Sequence, residues 1–124
     1  MDKLYIDYLP LDDLLARFAK RNPKDHDLGA MHTSIGKFGY VSPVMLDEST
    51  GRIVAGHGRL LALEQMRKAK ADPPEGVKDG WAVPVVRGKA FKSEKEAEAY
   101  LLADNRLTEL GGWNLAEVKD MLAD

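Results

Sequence analysis

Residues 52–63, RIVAGHGRLLAL, combine a short apolar strand, a loop bracketed by glycines and the start of a helix. The strand is predicted over 52–55. Gly56 and Gly58 interrupt it, and the helix is predicted from about Arg59 to Lys70. This arrangement places a strand-to-helix turn at the centre of the chain. Its helix is expected to direct three apolar side chains inward: Leu60, Leu63 and Met66.

The turn has the composition of an anion-binding site. The first N–H groups of a helix lack internal acceptors and carry partial positive charge, and glycines let a ligand approach them. His57 and Arg59 add donors at the same place, and an arginine can donate to two phosphate oxygens. The stretch is not a Walker motif, because the Gly-Lys-Ser/Thr ending is missing. Two plainer interpretations stay open: glycines that serve only the geometry of the turn, and an Arg59 that pairs with a carboxylate.

The rest of the chain alternates strands and helices in a mixed order, which predicts an α+β fold with a small mixed β-sheet backed by helices. The whole chain, residues 1–124, is expected to form a single domain. Apart from the central stretch, strands are predicted over 4–8, 41–46 and 81–86. Further helices are predicted after Asp12, between Asp25 and Phe38, after Ser93 and after Asn114.

Several residues are expected to start or stop these helices. Asp12 and Asp25 are predicted N-caps, and Gly39 is the predicted left-handed stop. Ser93 with Glu96 forms a predicted capping box. The apolar face of the second helix is expected to contain Leu28, Met31, Ile35 and Phe38.

Composition limits the possible functions. The chain has no cysteine, which excludes a disulfide scaffold, a thiolate zinc site and cysteine catalysis. No apolar run has membrane-spanning length and no signal-type segment follows the N-terminus, so a cytoplasmic protein is expected. The net charge is −2, whereas non-specific DNA binding usually needs a basic excess. Any DNA contact is therefore expected from a missing domain or from a local basic patch, namely Arg52, Arg59, Arg67, Lys68 and Lys70.

Three segments resemble the ParB/sulfiredoxin superfamily, and together they span about residues 4–122. The stretch IVAGHGRLLA at 53–62 resembles the Gly-Glu-Arg-Arg box of ParB proteins, and more closely the Gly-His-Gly-Arg form of ParB-like domains linked to DNA methyltransferases. The segment SIGKFGYVSPV at 34–44 is similar to the family's Ser-Ile-x-x-x-Gly-hydrophobic-x-x-Pro stretch. ADNRL at 103–107, followed by Gly-Trp at 112–113, resembles a further segment of the methyltransferase-linked branch.

The resemblance implies a nucleotide pocket, since ParB proteins bind and hydrolyse CTP. Gly56, His57, Gly58 and Arg59 would then hold phosphates, and Arg59 would be catalytic. Ser42 and Pro43 would lie where ParB proteins contact the base or ribose. The segment at 104–106 would lie near metal and phosphates: Asp104 as the catalytic Mg²⁺ ligand, with Asn105 and Arg106 as nucleotide contacts.

The chain also departs from the family's patterns. His57 and Gly58 replace the Glu-Arg of the ParB box, so one arginine is lost. The arginine three places after the ParB Glu-Asn pair falls on Thr108, with Arg106 as a substitute, which puts CTP specificity in doubt. Sulfiredoxin chemistry needs a cysteine in this loop, and none is present.

The first functional hypothesis is a module that binds a nucleotide of the CTP or ATP type, with slow nucleoside triphosphatase activity, in a partition, phage or DNA-modification setting. The alternatives are a metal-dependent ParB-like nuclease, a non-enzymatic DNA or partner recognition module attached to a DNA methyltransferase, and a small-molecule kinase. Mg²⁺ with bound nucleotide is the expected cofactor, although Asp104 also fits a structural carboxylate paired with Arg106 or a lysine. The expected partners are a nucleoside triphosphate, DNA, and a second copy in a homodimer.

Overall fold

The computed structural model describes residues 3–18, 28–111 and 121, and within 105–111 it describes the backbone alone. Its elements alternate in the mixed order expected from the sequence. The strands are β1 (Tyr5–Pro10), β2 (Val44–Leu46), β3 (Ile53–Ala55) and β4 (Ala82–Arg87), and the helices are α1 (Leu11–Leu15), α2 (Leu28–Phe38), α3 (His57–Lys68) and α4 (Glu94–Gly111).

The four strands form one mixed sheet in the order β1-β4-β2-β3. β4 runs antiparallel to β1 and parallel to β2, and β2 runs antiparallel to β3. The predicted α+β fold with a small mixed sheet is therefore confirmed. β1 and β3 are the outer strands, and the turn into α3 leaves from the β3 side of the sheet.

Helices cover both faces of the sheet because neighbouring strand residues point to opposite sides. Ile53 packs in the larger core with side chains from α1, α2 and α3, whereas Val54 packs with Ala97 of α4. α3 and α4 therefore lie on opposite faces of β3. The three residues expected to point inward from α3 are all buried: Leu60, Leu63 and Met66.

Some local expectations were wrong. Pro10, not Asp12, is the N-cap of α1, because the strand continues to Pro10 and the helix begins directly after it. Phe38 is 61% exposed, although Ile35 on the same helix is buried as expected. Gly39 does follow α2 with a φ of +89°, in the left-handed region that favours glycine.

The capping box at Ser93 forms only in part. Ser93 Oγ accepts the Glu96 N–H at 3.1 Å, while the Glu96 carboxylate reaches the Lys92 N–H instead of that of Ser93. The expected N-cap Asp25 and the expected last helix after Asn114 lie outside the described residues. Within the described part of the chain, no helix is long and apolar enough to cross a membrane.

Candidate functional site

Gly56 makes the sharp turn from β3 into α3. Its φ is +99°, and a Cβ added there would collide with Cγ1 of Val44. Both the left-handed backbone and the close approach of β2 therefore require glycine at this position. The turn and the start of β2 are held in direct contact as a result.

The first turn of α3 presents backbone donors. The helix begins at His57, two residues earlier than expected, and the Leu60 N–H donates to the Gly56 carbonyl at 3.2 Å. The amides of Gly58 and Arg59 precede that first helical hydrogen bond. Within the part of the chain that the structure describes, no side chain caps this helix start, and its first turn contains no acidic residue. An anion near these amides would be stabilised by the positive end of the helix.

Arg59 has a buried donor without an acceptor. Its Nε is buried and makes no hydrogen bond, and among the described residues no carboxylate pairs with its guanidinium. The plainer interpretation, an Arg59 neutralised by a carboxylate, therefore has no support in the described part of the chain. A buried donor left in this condition costs free energy unless a further acceptor binds it.

Tyr40 supplies a second polar group beside Arg59. Its side chain is 3% exposed, and among the described residues its buried hydroxyl makes no hydrogen bond of standard geometry. Burial raises the pKa of Tyr40 to about 12, although the neighbouring Arg59 charge and the nearby donors of the Val44 backbone and the Arg59 side chain oppose the rise. The hydroxyl is protonated at neutral pH, as a tyrosine ordinarily is, and can donate a hydrogen bond.

The backbone fixes the position of Tyr40. It follows the left-handed Gly39 at the end of α2, and its N–H donates to the Glu75 carbonyl at 2.7 Å. The sequence did not single out Tyr40, because its position matches a site that is merely hydrophobic in the ParB-like pattern. The only signal in the sequence was a hydroxyl-bearing side chain at that apolar position.

The other residues predicted to contact the phosphates and the base or ribose lie around this turn. His57 is 4% exposed and its ring packs edge-on against Phe18, with ring centroids 4.8 Å apart. Its side chain is thus directed into the protein, so a contribution to anion binding would come from its backbone. Ser42 is exposed and Pro43 is half-buried, and both lead directly into the Val44 that contacts Gly56.

The predicted segment 104–106 belongs to α4. Asp104 is half-buried, and its charge adds to burial in raising the pKa of Tyr100. The side chains of Asn105 and Arg106 lie outside the described residues. α4 packs on the face of β3 opposite α3. Across residues 3–18 and 28–104, no three His, Asp or Glu side chains converge as a metal site.

The predicted basic patch is largely engaged in internal contacts. Arg67 pairs with Asp12 at 2.6 Å, and Lys68 lies 3.7 Å from Glu64. Arg52 Nη1 donates to the Phe18 carbonyl at 3.0 Å. The two ion pairs contribute little stability, but they reduce the positive charge that Arg67 and Lys68 offer to a nucleic-acid backbone.

Asp47 forms a second buried polar cluster that sequence reasoning missed. Its side chain is fully buried, and its carboxylate accepts hydrogen bonds from Ser49, Thr50 and the Phe91 N–H. Burial alone would raise the pKa of Asp47, but these hydrogen bonds together hold it below its usual range. A carboxylate saturated in this way fastens the turn before β3 to the segment before α4.

Comparison with known proteins agrees with this fold. The chain is 39% identical over 69 residues to the ParB-like nuclease domain-containing protein YnaK of Escherichia coli, an alignment that covers 53% of this chain and 76% of that protein. No family model matches the chain, and no solved structure matches it. The fold and the site define the class of protein: a mixed α+β domain with a strand-to-helix turn bracketed by glycines. On the identity and coverage with YnaK, the chain belongs to the ParB-like domain family.

Proposed function

We propose that this protein binds the phosphate groups of a nucleotide at the turn formed by Gly56, Gly58 and Arg59, with Tyr40 as an additional donor. One observation carries the proposal: Arg59 Nε and the neighbouring Tyr40 hydroxyl are buried next to an uncapped helix start, and among the described residues neither makes a hydrogen bond of standard geometry. Native proteins pair nearly all buried polar groups, so an unpaired cluster at a helix N-terminus favours a site completed by a ligand.

Each group has a defined task in this proposal. The amides of Gly58 and Arg59 donate to one phosphoryl group, and the guanidinium of Arg59 neutralises its charge. The Tyr40 hydroxyl is neutral at physiological pH, as tyrosine ordinarily is, and can donate to a phosphate oxygen. Ser42 and Pro43, which adjoin the turn, would contact the base or ribose. The approach of Val44 to Gly56 keeps the two segments together.

Mg²⁺ enters as a companion of the nucleotide. Bound to phosphate oxygens, it would neutralise charge during slow hydrolysis of a nucleoside triphosphate. Asp104 is the carboxylate proposed to reach it, together with Asn105 and Arg106. Phosphate oxygens would have to supply most of the ligands, since no described cluster of carboxylates does so.

A thermal-shift panel with CTP, ATP, GTP and ADP, each with and without Mg²⁺, tests the proposal. At a concentration far above its Kd, the preferred nucleotide should raise the melting temperature by several degrees, because it binds the folded state alone. Arg59→Ala should abolish the rise. Arg67→Ala is the matched control, because Arg67 is on the same helix and pairs with Asp12 instead of facing the turn.

The results that contradict the proposal are equally plain. If no nucleotide at millimolar concentration shifted the melting temperature of the wild type, nucleotide binding would be rejected. If Arg59→Ala and Arg67→Ala lost the shift equally, binding at the α3 N-terminus would be rejected in favour of a diffuse electrostatic effect.

A second candidate function is DNA cleavage, which is favoured by the ParB-like nuclease domain named in the Escherichia coli relative. Metal-dependent cleavage usually requires several carboxylates, and Asp104 is the one proposed here. The test is nicking of supercoiled plasmid with Mg²⁺ or Mn²⁺. Activity that is lost in Asp104→Ala and kept in Asp79→Ala, a change at an exposed aspartate, would support a nuclease. Absence of nicking in the wild type would reject it.

A further inference from the structure

Among the described residues, no strand pairs with the outer side of β1, so this edge of the sheet is open there. It is the first strand in the order β1-β4-β2-β3, and it pairs with β4 over its whole length. An outer strand presents backbone N–H and C=O groups that a further strand can bind, and proteins usually blunt such edges. The opposite outer strand, β3, leads into α3, so the β1 edge lies on the side of the sheet away from the proposed nucleotide site.

The register shows which backbone groups face outward. The Leu11 N–H donates to the Trp81 carbonyl at 3.0 Å and continues the pairing of Pro10 with Ala82. Because hydrogen-bonding direction alternates along an antiparallel strand, the odd-numbered residues of β1 bond toward β4. Leu4, Ile6 and Tyr8 therefore direct their backbone groups toward the open edge. The Tyr8 N–H agrees, since it donates to the Asp7 side chain at 2.9 Å instead of to β4.

Apolar side chains accompany these backbone groups. Leu4 is 58% exposed, Tyr5 is 54% exposed and Ile6 is 51% exposed. Leu4 and Ile6 lie on one face of the strand, and Tyr5 lies on the other. A strand added at this edge would cover both faces as well as the backbone groups.

We propose that a second copy of the chain closes this edge, with β1 antiparallel to β1 about a two-fold axis at Tyr5. This register places Leu4 of each copy opposite Ile6 of the other. Both residues direct their backbone groups outward, so each pair exchanges two hydrogen bonds. Leu4 and Ile6 of the two copies also form one apolar cluster on a single face. The two four-stranded sheets become one continuous sheet.

Charge selects this register and this occupant. Lys3 and Asp7 lie at equal distances from Tyr5, so the axis places each lysine opposite an aspartate of the other copy. The Asp7 side chain is 45% exposed beside Arg87 and can accept a second cation. Moving the axis to Ile6 would set Lys3 against Leu9 and lose both pairs. Exposed pairs contribute little affinity, but they specify register, and self-complementarity about an axis is what an isologous dimer requires.

The proposal is tested with cysteine cross-linking, because the chain contains no cysteine of its own. Tyr5 would lie at the axis in a non-hydrogen-bonded pair, where Cβ atoms are about 4.5–5.5 Å apart, close to what a disulfide spans. Tyr5→Cys should form a covalent dimer under mild oxidation. Leu102→Cys, at 51% exposure on α4, is the matched control and should cross-link much more slowly.

Sedimentation of the wild type over a range from about 1 μM to about 1 mM supplies the second arm, since edge pairing is a small interface with moderate affinity. The average mass should rise toward that of a dimer, and Ile6→Lys should hold the chain as a folded monomer. The proposal is overturned if the wild type stays monomeric throughout, if Tyr5→Cys links no faster than Leu102→Cys, or if Ile6→Lys leaves the dimer intact. Nucleotide binding by Ile6→Lys is measured separately. The result for the dimer is therefore distinguishable from the result for the nucleotide site.

Discussion

The two ends of β3 carry buried polar groups in opposite conditions. Before the strand, the carboxylate of Asp47 accepts hydrogen bonds from Ser49, Thr50 and Phe91 and is saturated. Beside the turn at the other end of the strand, the Tyr40 hydroxyl and Arg59 Nε are also buried, but among the described residues they make no hydrogen bond of standard geometry. Only three residues, 53–55, separate the two turns.

This difference separates a structural polar cluster from a candidate binding site. At Asp47 each buried donor already has its acceptor, so the cluster holds the fold together and offers a ligand nothing. At Tyr40 and Arg59 the buried hydroxyl and Nε make no hydrogen bond of standard geometry within the described part of the chain, so the fold bears a cost that a bound anion would remove. Removing the polar group should therefore cost much more stability at Asp47 than at Tyr40.

The largest expected effect is at the saturated end. Asp47→Ala should lower the free energy of unfolding by about 3 kcal/mol or more, because it leaves several buried donors without an acceptor. Urea denaturation measures this, with Asp72→Ala, at an exposed aspartate, as the control. If Asp47→Ala does not fold, Ser49→Ala should still show a loss of about 1 kcal/mol. Equal stability of the Asp47 and Asp72 variants would contradict the structural role.

The pH dependence of stability should also distinguish the two ends. The folded-state pKa of Asp47 is below its unfolded value of about 3.9, so its stabilisation is complete above that pH and is lost as the pH falls through the folded-state pKa. Asp47→Asn should flatten this acid loss in pH-dependent urea titrations.

Tyr40 has a raised pKa, so its unfolded form ionises first, and stability should fall between about pH 10 and 12 in the wild type but less in Tyr40→Phe. Curves of the same shape for wild type and variants would reject both assignments.

The smallest change in stability is expected at the unsaturated end. Tyr40→Phe removes a buried hydroxyl that has no partner, so the free energy of unfolding should stay within about 1 kcal/mol of the wild type or rise. Nucleotide affinity should nevertheless fall, since a donor to the phosphate is gone. Urea denaturation and calorimetric titration on the same samples measure the two quantities. A clear loss of stability with unchanged affinity would make Tyr40 a structural residue.

The local pattern of the chain predicted much of the fold. The glycines at 39 and 56 adopt the left-handed backbone expected of stops and turns, and the inward face of α3 follows from helical spacing. Helical spacing predicted Phe38 on the apolar face, but α2 ends at this residue and its side chain reaches solvent instead of the core. The Asp12 cap failed because β1 continues to Pro10 and leads directly into the helix.

The candidate site was predictable only in part. The turn at Gly56–Arg59 has local signals in glycine spacing and helix position, so the sequence located it. Tyr40 and Asp47 owe their roles to long-range burial, and the hydroxyl of Tyr40 meets Arg59 only because β2 packs beside the turn. The inward direction of His57 depends on Phe18, which is distant in sequence. Contacts between residues that are distant in sequence cannot be predicted from composition or from residue spacing.

The most direct test of the central claim is a nuclear magnetic resonance titration of labelled protein with the nucleotide selected by the thermal-shift panel. The Arg59 Nε–H signal and the Gly58 and Arg59 amide signals should move together and saturate at one affinity, because the same phosphate accepts from all of them. The exposed Lys89 amide should stay unchanged. If the nucleotide bound while the Arg59 Nε–H and Gly58 signals stayed in place, the turn after β3 would not be the phosphate site.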